Sequence, residues 1–139
     1  MEKIYSKIND RQLLHITFMK NDFSKRQDLI DPLEFIQLAS IELKKDQTFK
    51  PHKHKWKKTT FKQFIAQESW VIINGSVKVD YYDLDDSLLK SVILNDGDCT
   101  VTLRGGHNYT SLEENTLVYE FKTGPYFGLE LDKEPLNIK

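Results

Sequence analysis

A chain of 139 residues has room for one domain with a proper core and is too short for two of ordinary size, so residues 1–139 are read as a single domain. With 39% hydrophobic and 29% charged residues, the composition is that of a globular protein rather than a disordered or membrane-spanning one. Twenty basic side chains against 21 acidic ones leave a formal net charge of −1, which argues against nucleic-acid binding, where a clear basic excess is usual.

No apolar stretch approaches the roughly 18 residues that a membrane helix needs. The opening residues lack the apolar core and cleavage site of a secretory signal, so a cytoplasmic location is expected. Cys99 is the single cysteine, which excludes an internal disulfide framework.

In chain order, short period-two runs bounded by Gly, Pro, Asn and Asp predict strands. Leu13 to Met19 is the first and Glu34 to Leu43 the second. Between them, Ser24 to Phe35 could hold a short helix, limited by Pro32. Ser69 to Ile73 runs into Asn74-Gly75 and then Ser76 to Tyr82, the signature of a two-residue hairpin turn. A reversal at Asp85-Asp86-Ser87 precedes Leu88 to Leu94. Cys99 to Leu103, His107 to Leu112, Leu117 to Lys122 and Phe127 to Leu131 follow, and Lys133 to Lys139 reads as a tail. So many closely spaced short strands predict an all-β sandwich, jelly roll or barrel.

His52 and His54 are two apart, so on an extended chain both imidazoles point to one face and can reach one ion. By themselves they fit a solvated, Lys-flanked loop better than a metal site. Glu68 is followed by six residues and Gly75; later, Gly97 opens a strand that leads to Gly105-Gly106-His107.

This layout resembles the cupins, whose two motifs place a His-x-His pair, a glutamate and a third histidine around a metal. The resemblance implies a double-stranded β-helix, or jelly-roll barrel, with extra N-terminal strands. It implies His52, His54, Glu68 and His107 as ligands. Thirteen residues separate His54 from Glu68, far more than the family's usual spacing, and Leu103 stands where a proline is usual. Three imidazoles and a carboxylate suit a divalent transition metal such as Fe, Mn, Ni or Zn.

A narrower resemblance rests on Gly105-Gly106-His107, Glu120 to Tyr126 and Asp132-Lys133-Glu134. It also rests on Arg26 to Leu29 and Glu34 to Gln37. These stretches look like small bacterial cupins found among sugar-nucleotide and surface-polysaccharide genes.

Further candidates follow from alternation. Glu120 and Lys122 share one strand face. Turned inward, they are an acid–base pair beside the metal; turned outward, they are solvated while Tyr119 and Phe121 fill the core. Trp70 shares a face with Glu68 and either lines a substrate pocket or packs the core. Tyr109 follows His107 by two and is a proton donor, a binding contact or a buried structural tyrosine. Lys50, Lys53, Lys55, Lys57 and Lys58 are either a solvated run or a positive rim for a phosphorylated substrate. Arg104, just ahead of Gly105, joins Trp70, Lys53, Lys55 and Lys57 in the expected substrate-facing set. His15, inside an apolar strand, is expected to be structural, and Cys99 a buried inert thiol.

The expectation is a metal-binding cupin acting on a small polar substrate, a sugar or sugar-nucleotide, with isomerase- or epimerase-like chemistry in surface-polysaccharide metabolism. The alternatives are a non-catalytic sugar-binding cupin and an iron-dependent oxygenase. A homodimer is expected, formed through Leu13 to Met19 or Glu34 to Leu43.

Overall fold

The computed structural model describes residues 1–56, 58 and 63–138. These residues are predominantly β, with every strand pairing antiparallel. Among them no helix is long and apolar enough to cross a membrane.

Ten strands form: β1 Glu2–Tyr5, β2 Leu13–Phe18, β3 Gln27–Asp28, β4 Ala39–Ser40 and β5 Glu68–Asn74 come first. β6 Val77–Tyr82, β7 Leu88–Leu94, β8 Cys99–Thr102, β9 His107–Ser111 and β10 Leu117–Lys122 follow, and a short helix α1 spans Leu129–Asp132. The described strands make three sheets: five strands in the order β1-β2-β8-β5-β10, three in the order β7-β6-β9, and the small β3-β4 pair. None of them closes into a barrel.

Alternation along the strands explains the layering. On β8, Cys99 and Val101 pack with Ile16, Phe18, Leu29 and Ile30 on one face of the five-stranded sheet. Thr100 and Thr102 point to the other face, where Thr100 meets the Tyr81 hydroxyl at 2.5 Å. Tyr81 comes from the three-stranded sheet, is fully buried and also meets Thr17 Oγ1 at 3.0 Å. Val77, Val79, Tyr81 and Leu94 join Ile4 and Ile72 in a core shared by both sheets. Each such side chain, fully buried, contributes on the order of 1.5–3 kcal/mol.

Several elements differ from the expectation. Asn74-Gly75 is a turn, but not a hairpin: β5 pairs with β8 and β10, while β6 pairs with β7 and β9. The turn carries the chain from one sheet to the other. Gly75 is required there because φ is +88° and an added Cβ would lie 2.6 Å from Thr116 Oγ1. Glu34 to Leu43 contributes only β4, because its polar and apolar residues find partners outside a ladder: Glu34 bonds Arg104, and Ile36 donates to Gln67.

Ser24 to Phe35 holds no α-helix but contains β3. Phe127 to Leu131 is not a strand; it leads into α1. Residues after Lys133 are no loose tail, since Asn137 donates to Asp86 at 2.9 Å and Leu136 packs on Gly106. Of the two segments expected at a dimer contact, β2 is flanked by β1 and β8 and offers no free edge, while Glu34 to Leu43 contributes β4, which pairs with β3 on one side only.

Candidate functional site

Glu68 opens β5, and its register partner on β10 is Lys122; Trp70 stands opposite Glu120. Directly opposed residues of an antiparallel pair point to the same face. Glu68, Trp70, Glu120 and Lys122 therefore share the side of the five-stranded sheet that faces β9, with Lys122 lining a cavity there and Glu120 41% exposed beside it, while Tyr119 and Phe121 on the other side are exposed rather than core. β9 presents His107 and Tyr109 toward them. The Trp70 and Tyr109 rings stack at 3.9 Å, and His107 tilts against Tyr109 at 5.1 Å.

With its proton on Nε2, His107 donates to Glu68 Oε1 at 3.1 Å, and Lys133 Nζ donates to Glu68 Oε2 at 3.3 Å. Lys133 also lies 4.0 Å from Glu120 Oε1. Lys122 pairs with Asp132 at 2.9 Å and lies over the Tyr126 ring. Burial works against the charge on Glu68, but the His107 hydrogen bond and charge, with Lys133, outweigh it and draw its carboxyl down to about 2. Glu120 moves the other way: burial, then the hydrogen bond and negative charge of Glu68, raise it above the ordinary carboxylate value. Burial and the Glu68 charge also raise the Tyr109 phenol, so it keeps its proton at neutral pH.

Glu68, Trp70, His107, Tyr109, Lys122 and Lys133 line the cavity, of about 760 Å³, with Thr102, Arg104, Asp86 and Leu136; Glu120 lies beside it. That volume lies within the roughly 300–1,000 Å³ typical of small-molecule sites. Trp70 Nε1 and His107 Nδ1 are buried and have no hydrogen-bond partner among the described residues, whereas the buried Tyr109 hydroxyl interacts with the Thr102 side chain. A buried polar atom left unpaired costs about 1–3 kcal/mol, so Trp70 Nε1 and His107 Nδ1 leave hydrogen-bonding capacity at this cavity that the protein itself does not fill.

The remaining sequence candidates lie elsewhere. His52 and His54 are exposed, 5.5 Å apart between ring centroids, and neither lines the cavity. His52 Nδ1 contacts the Lys50 carbonyl at 2.9 Å. Among the described residues no three His, Cys, Asp or Glu side chains are grouped to hold a metal ion. Two of the four expected ligands, Glu68 and His107, are together; the other two belong to an irregular stretch without strand partners. The structure thus brings Glu68 and His107 together and leaves His52 and His54 apart from them.

Lys53 and Lys55 are exposed in the same stretch and do not line the cavity, and Lys57 lies outside the described residues. The charged residues at the cavity are of both signs, with Asp86, Glu130, Asp132 and Glu134 beside Lys122 and Lys133. Arg104 lines the cavity with its charge already paired, contacting Glu34 at 2.8 and 3.4 Å.

His15 is structural, as expected: fully buried, its two ring nitrogens each lie 3.1 Å from Thr102 Oγ1 and the Tyr82 carbonyl. Cys99 is buried, and desolvation pushes its thiol up to about 11. Sequence reasoning missed Lys133 as a site residue. Its only signal was its place in Asp132-Lys133-Glu134, to which no role was attached.

Fold and site together define an all-β protein of antiparallel sheets with a carboxylate–imidazole pocket between two of them. Comparison with protein-family models, with curated proteins and with solved structures yields no match to the chain.

Proposed function

We propose that this chain is a cytoplasmic protein of the cupin jelly-roll type that binds a sugar-class molecule in the Glu68–His107 pocket and transfers a proton on it. The observation that carries the reading is the grouping of Glu68, His107, Tyr109 and Lys133 around one cavity, with Trp70 Nε1 and His107 Nδ1 buried and unpaired there and Glu120 beside it, 4.0 Å from Lys133. Isomerisation next to a carbonyl needs a base to take the carbon-bound proton and a donor to hold the enolate oxygen. Glu120, raised above the ordinary carboxylate value, is suited to take the carbon-bound proton and return it to the neighbouring carbon, while the Tyr109 hydroxyl passes its proton to the carbonyl oxygen and recovers one from the adjacent hydroxyl. Tyr109 and Lys133 supply donors for the oxygen, while Glu68 stays ionised and orients His107. A place in surface-polysaccharide metabolism rests on the sequence resemblance.

The mainly acidic lining favours a neutral sugar moiety inside the pocket, with any nucleotide diphosphate kept outside it. A divalent metal would require the His52–His54 segment to reach Glu68 and His107, and no step here runs through one.

The test is proton NMR in deuterated water with a panel of neutral hexoses, keto-sugars and nucleotide-linked keto-sugars. Saturable binding with deuterium entering next to the carbonyl, lost in Glu120→Gln, is the expected result. Binding without deuterium entry establishes the non-catalytic alternative. No binding by any member, with the wild-type fold intact, overturns the reading.

A further inference from the structure

The residues that carry Glu68, Thr102 and His107 lie in strand ladders. The other wall of the same cavity does not. Residues 129–137 contribute Glu130, Leu131, Asp132, Lys133, Glu134 and Leu136 to the lining, yet pair with no strand. The only regular element in this stretch, α1, has no buried residue, and its Leu129 and Leu131 are 64% and 81% exposed. Very little apolar burial therefore holds the segment down.

Polar contacts hold it instead, and each crosses the pocket mouth. Lys133 reaches Glu68 and Glu120, Asp132 takes Lys122, and the Asn137 amide donates to Asp86. Leu136 packs against Gly106 at the rim, where a Cβ on Gly106 would lie 2.6 Å from its Cδ2. Partly exposed ion pairs contribute little each and are screened by salt, so such a segment opens at low cost while the ladders beneath it stay intact. Lys133 is itself 45% exposed, and the carboxylate it covers is 7% exposed. The ammonium thus occupies the side of Glu68 that faces away from His107, where an incoming polar group would bind.

We infer that residues 129–137 form a strap that gates the Glu68–His107 pocket, with Lys133 as its latch. A ligand that hydrogen-bonds Glu68 competes with the Lys133 ammonium and admits itself by releasing the strap. The inference rests on the reading of this pocket as the ligand site. Its test uses no ligand, so its outcome is separate from that of the sugar titration.

Three amides in or beside the strap are hydrogen-bonded and report its opening: Leu131 to the Gly128 carbonyl, Lys133 to the Leu129 carbonyl, and Asn137 to Asp86. Trp70 lines the pocket, and the only other tryptophan, Trp56, is fully exposed, so Trp56→Phe makes Trp70 the sole indole reporter. Hydrogen exchange and acrylamide quenching of Trp70 are compared for this background, Lys133→Met, Lys133→Arg and Lys122→Met at low and high salt.

Lys133→Met is expected to raise strap exchange and Trp70 quenching together by about three- to ten-fold, with β5 and β8 amides unchanged. Lys133→Arg is expected to stay near the parent, and high salt to move the parent toward Lys133→Met. Unchanged strap exchange in both methionine variants overturns the latch. Faster exchange without greater quenching overturns the gate.

Discussion

Glu68 and His107 belong to different sheets, and their 3.1 Å contact joins the start of β5 to the start of β9. The contact sets the ionisation of the site as well as its shape. Because Glu68 titrates at about 2 in the fold, against an ordinary value of 4.5, its ionised form stabilises the native state. That contribution is fully present above about pH 4.5 and is lost as pH falls through about 2. Glu120, shifted the opposite way by the same pair, offsets part of it. Glu68→Gln is expected to cost roughly 1–3 kcal/mol at pH 7 and to flatten the acid limb of stability. Urea denaturation from pH 7 to pH 2 measures both.

His15 supplies a second, separable pH dependence. Burial holds its imidazole down at about 4, below the ordinary 6.5, so the unfolded chain binds the proton first. Its neutral form supports the fold above about pH 6.5, and that support drains away as pH falls toward 4. The full loss is on the order of 3 kcal/mol. Melting temperature followed across this window is expected to fall in the wild type. In His15→Gln it is expected to start lower and change less between the two values. An identical slope in both chains counts against His15 as the titrating group.

Gly105 carries φ of +79°, and a Cβ there would lie 2.5 Å from the Tyr82 carbonyl oxygen and 3.2 Å from His15 Nε2. Backbone cannot give way as a flexible side chain can, so Gly105→Ala is expected to cost about 2 kcal/mol or more. It is also expected to disturb His107, two residues on. Chemical denaturation gives the first effect; the His107 ring resonances give the second, and a variant within about 0.5 kcal/mol of wild type would contradict this packing.

The expected homodimer needs a contact other than β2. β10 is an edge strand of the five-stranded sheet, and its outward Leu117, Tyr119 and Phe121 are 59%, 62% and 56% exposed. An open edge beside an apolar face suits self-pairing by a second copy. Light scattering at micromolar concentration is expected to give a dimer, and Phe121→Lys a folded monomer. A monomeric wild type removes the dimer; a Phe121→Lys dimer removes this face.

Alternation made much of the molecule legible. β7 and β10 run over the residues that the pattern marked, and Glu68, Trp70, His107 and Tyr109 point together as spacing by two requires. The buried, structural character of His15 and Cys99 was readable from the apolar runs around them. Asn74-Gly75 announced a turn, because only φ-tolerant residues fit there, but not which strands it would separate.

By itself, then, the sequence determined where the chain extends, where it turns and which side chains share a face, since these depend on neighbours within a few residues. Tertiary structure alone decided which strands pair, that β5 and β6 lie in different sheets, and that Glu120 and Lys122 share the side facing β9. It alone placed Lys133 on Glu68, 65 residues away in the chain, and left His52 and His54 apart from the pocket. Such contacts are chosen by the free energy of burying and pairing groups over the whole chain, and no local pattern records that choice.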